Sequence, residues 1–159
     1  APYPKLGSSS TAEVRSEPMT PDPDSIEHAV AEQHRRLDAM FEETLAAMRE
    51  GAVSDAIRET FERLREALET HLAQEDQLYY PSLGALRPVH RTVLDSLVAA
   101  HDGFRSRLDA IDARLTHQDL VAAERELGAF CSAFAVHEAS EERLLRGIDA
   151  EVAEAAQSC

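Results

Sequence analysis

Four long segments of this chain place an apolar side chain every three or four residues, a spacing that fits an amphipathic helix buried along one face. The first stripe runs Ile26, Val30, Leu37, Phe41 and Met48, follows a capping-box-like Asp24 and Glu27, and ends at Gly51. The second begins near Ser54, carries Ile57, Phe61, Leu64, Leu68 and Leu78, and stops at Pro81. The third starts around Pro88 with Leu94, Leu97, Phe104, Leu108, Ile111 and Leu115. The fourth follows Thr116 with Leu120, Ala123, Leu127, Phe130, Phe134, Leu144 and Ile148. The connections are short, so the expected fold is all-α: an up-down-up-down antiparallel four-helix bundle over residues 24–156. Residues 1–23, with Pro2, Pro4, Pro18, Pro21, Pro23, Gly7 and Ser8 to Ser10, read as an irregular Pro/Ser-rich arm.

The stripes are interrupted at positions where an apolar residue is due. Helix four steps through 130, 134, 137, 141, 144 and 148, and its interruptions are His137 and Glu141. Helix three steps through 97, 101 and 104, with His101 in the middle. Helix two steps through 64, 68, 71, 75 and 78, giving His71 and Glu75, and in helix one His34 lies between Val30 and Leu37. A carboxylate in an apolar core is costly unless it is paired or bound to a metal, and neither stripe places a lysine or arginine beside Glu75 or Glu141. His and Glu four residues apart share a helix face, so each pair can reach one cluster.

Depth supports convergence. His34 lies 17 residues before Gly51 and His71 lies 20 after it, while His101 lies 16 before His117 and His137 lies 20 after it. At about 1.5 Å per residue, both members of each hairpin sit roughly 25–30 Å from their turn. The pattern also repeats, as a His followed 37 or 36 residues later by His-x-x-x-Glu, with about 66 residues between copies. A single histidine on an apolar face is ordinarily a core residue with a satisfied hydrogen bond. Two His-x-x-x-Glu pairs with two further histidines at matched depth point to metal.

The whole chain is acidic, with a formal net charge of −14 over 159 residues, which argues against nucleic acid and anionic membranes as partners. No apolar run approaches the roughly 18 residues that span a bilayer. The first residues lack the order of a secretory signal. Cys131 and Cys159 form no disulfide framework, so a cytoplasmic location is expected.

The stretches Glu32-Gln-His34, His71-Leu-Ala-Gln-Glu75-Asp-Gln-Leu-Tyr-Tyr-Pro81, Ala100-His101 and His137-Glu-Ala-Ser-Glu141-Glu resemble the hemerythrin-like family, the bundles with the HHE cation-binding pattern. The resemblance covers about residues 24 to 148. It implies a non-haem di-iron centre, two Fe ions with an oxo or hydroxo bridge. Glu75 and Glu141 would bridge the ions, with His34, His71, His101 and His137 as terminal ligands. Ferritin-like di-iron proteins use more glutamates, in a Glu-x-x-His order. Oxygen-carrying members of the family have a second histidine one turn after the helix-three ligand, where this chain has Arg105. The four-His, two-Glu set looks more like the subgroup that includes proteins for repair of iron centres. Counting ligands leaves roughly one open position per iron, if each favours about six. The expected function is therefore binding or reduction of a small diatomic or peroxide ligand (oxygen, nitric oxide or hydrogen peroxide), with any electron donor or protein partner unidentified. The alternatives are a non-catalytic module sensing oxygen or iron, and a bundle holding zinc or manganese without a redox role.

Other residues are assigned by position. Tyr79, one turn beyond Glu75, and Tyr80 could hydrogen-bond a bound oxygen species or plug the bundle end. Phe41, Phe104, Phe130 and Phe134 would wall the site from solvent, as ordinary core packing also would. Asp38 could orient His34 or lie on a solvated face. His28, His90 and His117 are read as non-ligands, and Cys131 as inert.

Overall fold

The computed structural model describes residues 23–158; the expected arm before Pro23 and the terminal Cys159 lie outside the described residues, as do the side chains of Pro23 and Asp24 and with them the expected capping box. Among the described residues every regular element is helical. Helix α1 spans Pro23–Arg49 and α2 spans Ser54–Gln74; a π turn, Glu75–Tyr79, leads into a short α3, Tyr80–Leu86. A 3-10 turn, Pro88–His90, precedes α4, Arg91–Thr116, and α5 runs Leu120–Gln157. The turns have clear local causes. Gly51, after α1, adopts φ 67°, the left-handed conformation that glycine takes without steric cost. Before α5, Gln118 takes φ 58°, and the Asp119 side chain accepts the Ala122 N–H at 3.2 Å to cap the helix.

One expected boundary is wrong. The second helical segment does not stop at Pro81 but continues to Leu86. The Tyr80 N–H bonds back to the Glu75 carbonyl, five residues earlier, and this wider turn restarts the helix with Pro81 in its first turn. There the missing proline N–H costs no intrahelical bond. The same widening turns Leu78 outward, 46% exposed, against the expected buried position. Of the adjacent leucines near the end of α5, the buried one is Leu145, while Leu144 packs only partly against the core.

Helix α1 packs on α2 and α5, and α4 packs on α5 and more thinly on α2. The core between them comes in two parts. A larger cluster runs from Met48 and Ile57 up to Leu37, Leu72, Phe104 and Phe134. A smaller one gathers Ile26, Val30, Tyr79, Tyr80, Leu83, Leu94, Leu97, Leu145 and Ile148. All four long helical segments cross the gap between the clusters, and each crosses it with polar side chains: His34, His71 with Glu75, His101, and His137 with Glu141. The bundle thus has a polar layer sandwiched between two apolar ones.

Candidate metal centre

The six side chains expected as ligands are all buried: Glu75 and His101 at 0% exposure, Glu141 at 1%, His71 at 2%, His34 at 3% and His137 at 7%. Their heads converge in two groups, His34, His71, Glu75 and Glu141 in one and Glu75, His101 and His137 in the other, with the ligand atoms of each group within 4.8 Å of one another. Glu75 belongs to both, with Oε1 2.9 Å from His71 Nε2 and Oε2 3.3 Å from His101 Nε2. Glu141 Oε2 stands 3.2 Å from His34 Nε2, and the Nε2 atoms of His101 and His137 are 3.1 Å apart.

Apart from the His101–His137 contact, these short approaches are not hydrogen bonds. His34 Nε2, His71 Nε2 and all four carboxylate oxygens of Glu75 and Glu141 are buried without a hydrogen-bond partner. The atoms point at shared space more than at each other. Two donors each about 2.1 Å from one ion stand roughly 3.0 Å apart at a right angle. Among the described residues no lysine or arginine is buried to neutralise the carboxylates. Leaving so many buried polar atoms unsatisfied would be costly, and a cation in that space relieves all of them at once.

Three of the four histidines have an Nδ1 partner that favours the tautomer a metal needs. Nδ1 of His71 lies 2.8 Å from Gln33 Oε1, Nδ1 of His101 lies 2.7 Å from Asp76 Oδ1, and Nδ1 of His34 lies 3.1 Å from Glu142 Oε1. An Nδ1–H donated to each oxygen leaves Nε2 bare and aimed into the centre. Gln33 is itself fixed, because its amide N–H donates to Gln74 Oε1 at 2.7 Å. Asp76 is fixed by Arg105, whose guanidinium donates to Asp76 Oδ2 at 2.8 Å and reaches Glu69 at 3.3 Å. Arg105 therefore points away from the ligand atoms and braces the carboxylate that orients His101.

Electrostatics record the same crowding. Burial drives the His71 imidazole down to about 3 and, with the neighbouring His101, the His137 imidazole down to about 4. Burial also lowers His101, against the pull of Asp76. For His34 burial is outweighed by Glu141, Glu138 and Glu142, which together raise it above its ordinary value. Burial and the adjacent Glu141 push Glu75 well above the carboxylate range. Burial pushes Glu141 upward too, but His34, Glu75 and His71 together more than offset it and hold Glu141 below its ordinary value. Burial that favours neutral His71, His101 and His137, and a carboxylate pair that cannot comfortably hold two negative charges, suit a positive ion.

The secondary assignments resolve as follows. His28, His90 and His117 join neither group, and His90 instead faces Glu151 at 3.1 Å. Asp38 is exposed, and the partner of His34 Nδ1 is Glu142. Of the two tyrosines it is Tyr80 that reaches the centre. Its ring lies 5.8 Å from His101, its hydroxyl is buried without a partner, and burial beside Glu75 and Glu141 pushes its ionisation far up. Tyr79 contacts Gln33 through its hydroxyl at 3.4 Å. Phe104 and Phe134 floor the layer at 5.2 and 6.0 Å from His137, with Phe41 and Phe130 packed behind them. Cys131 is half-buried, and burial raises its thiol, which makes it a weak nucleophile.

Sequence reasoning missed Glu138, which is 7% exposed and faces His34. The apolar rhythm of α5 steps over position 138, and only the neighbouring helix makes it interior. Gln33, Asp76 and Glu142 were missed for the same reason: each sits next to a ligand in sequence and braces a histidine from another helix. A groove of about 570 Å³ between α1 and α2 reaches His71 and Gln33 from solvent.

The model of the hemerythrin HHE cation-binding domain matches residues 25–148, which takes in all six convergent residues. No curated protein and no solved structure matches the chain. No helix among the described residues is long and apolar enough to cross a membrane. With a match over most of its length and a His/Glu cluster that could hold metal, the chain belongs to the hemerythrin HHE cation-binding domain family.

Proposed function

We propose that this chain is a cytoplasmic non-haem di-iron protein that binds or reduces a small ligand: dioxygen, nitric oxide or peroxide. His34, His71, Glu75, His101, His137 and Glu141 would hold the ions, with Glu75 and Glu141 bridging. The observation that carries this reading is the convergence of buried His34, His71, Glu75 and Glu141 atoms that meet without hydrogen-bonding one another. Opposed cross-helix pairs, such as Arg49 with Glu124 at 2.9 Å and Arg58 with Asp112 at 3.2 Å, support an up-down-up-down path for the bundle, over about residues 24–156.

Iron held there supplies one-electron redox chemistry and Lewis acidity. The protein's own residues do the rest. Gln33, Asp76 and Glu142 hold three imidazoles in register. The phenylalanine floor excludes bulk water on one side, and the groove beside His71 admits a small molecule on another. Tyr80 presents an unsatisfied hydroxyl to the centre, suited to donating a hydrogen bond to a bound oxygen atom.

A second reading, a module that senses iron or oxygen without turnover, draws support from the polar layer between the two apolar clusters, because metal would then govern how the clusters adhere. The test is anaerobic reconstitution with ferrous iron followed by air, reading metal content and the visible spectrum. About two irons per chain with charge-transfer bands on oxidation is expected. Zinc or manganese alone, or no colour, would remove the redox reading. Turnover with peroxide or nitric oxide separates an enzyme from a sensor.

A further inference from the structure

Beyond the six convergent residues, the centre has a third buried carboxylate with nothing to do. Glu138 is 7% exposed, and its Oε1 has no hydrogen-bond partner. The one nitrogen it approaches is His34 Nε2, at 3.9 Å, the same bare atom that stands 3.2 Å from Glu141 Oε2. Two donors about 2.1 Å from a common ion are separated by roughly 3.0 Å at a right angle and about 4.2 Å when opposite, so both distances fit donors on one ion. Glu138 also lies beside Glu141 and Glu142 on α5 and within the field of Asp38. An ionised carboxylate buried among other carboxylates is costly, and a cation in their midst relieves that cost.

Among the described residues, Glu138 stands outside both convergent groups and touches them only through His34. We propose that a turn of its side chain makes it an additional metal ligand on the ion held by His34, His71 and Glu141, leaving the exchangeable positions to the ion held by His101 and His137. This rests on the two-metal reading of the site. It makes the halves of the centre chemically unlike: the His34 half has two histidines and up to three carboxylates, and the other has two histidines and the shared glutamates. The small ligand then binds on the His101 side, where the orphan hydroxyl of Tyr80 waits.

Co(II) binding to the full chain tests this, by equilibrium dialysis and visible absorption, with wild type, Glu138→Gln, Glu138→Ala and Glu75→Gln compared. Wild type should take up two Co(II). In both Glu138 variants one Co(II) should remain tight while the other weakens at least tenfold, with a changed absorption band. Glu75→Gln should weaken both. The melting temperature of the metal-free Glu138→Gln protein should equal or exceed that of wild type, because a buried unpaired charge is removed. Two Co(II) bound with wild-type affinity in either folded Glu138 variant would overturn the assignment, as would a lower apoprotein melting temperature with unchanged binding, the mark of a merely structural glutamate. Failure of wild type itself to bind two ions would instead overturn the two-metal reading beneath it.

Discussion

Glu75 is the residue on which most of the centre's geometry depends, since one carboxylate faces histidines of both groups. Glu75→Ala or Glu141→Ala should therefore lower metal content well below two per chain, measured on reconstituted, desalted protein. A full pair retained in both variants would sink the bridging assignment. The six convergent residues were legible in the sequence because each replaces an apolar residue in a helical rhythm. What brings them together at one depth, and what braces them, was less legible. Gln33, Asp76, Glu138 and Glu142 lie one step off the stripe, and their meaning depends on which neighbouring helix they face. Arg105 reads as the loss of a ligand when only spacing is considered. In space it is the group that holds Asp76 against His101.

Among the elements, the π turn of Glu75–Tyr79 accounts for most of the disagreement between periodicity and structure. A regular helix would align Tyr79 with Glu75; the wider turn aligns Tyr80 instead and turns Leu78 to solvent. Nothing in the local composition signals an extra residue in a helical turn, so the period of 3.6 misassigned everything just beyond it. The turn behaves as a one-residue insertion, which can be tested by removing one. Deleting Leu78 should regularise the helix while keeping Tyr80 on the Glu75 face. The variant should fold and retain two ions. Deleting the exposed Glu66 from the regular part of α2 should rotate His71 and Glu75 by about 100° against the rest of the helix and abolish binding. Circular dichroism and metal analysis on the two variants read this directly, and metal loss in the Leu78 deletion would show that the π turn itself shapes the centre.

At the scale of the molecule, among the described residues, the two apolar clusters are separated by a layer of imidazoles and carboxylates. Stripped of cation, that layer carries unsatisfied polar atoms and unfavourable charge, so it is where cohesion is weakest. Chelator-treated protein should show faster amide hydrogen exchange as a group in the start of α1, in α3, in the first turns of α4 and in α5 beyond Glu141. Amides beside the larger cluster should stay protected, and added metal should slow the first group. Uniform protection with and without metal would show that the apolar clusters hold together unaided.

The smaller cluster draws Ile26 and Val30 from the start of α1 and Leu145 and Ile148 from the far part of α5, so the bundle's first and last helical turns leave from one end. Capture of an ion at mid-height should thus be felt as a change in spacing at that rim. Dyes attached at the exposed positions Ser25 and Glu151 would convert the arrival of a metal into an optical distance signal, making the protein a ready-made gauge of the ion it holds.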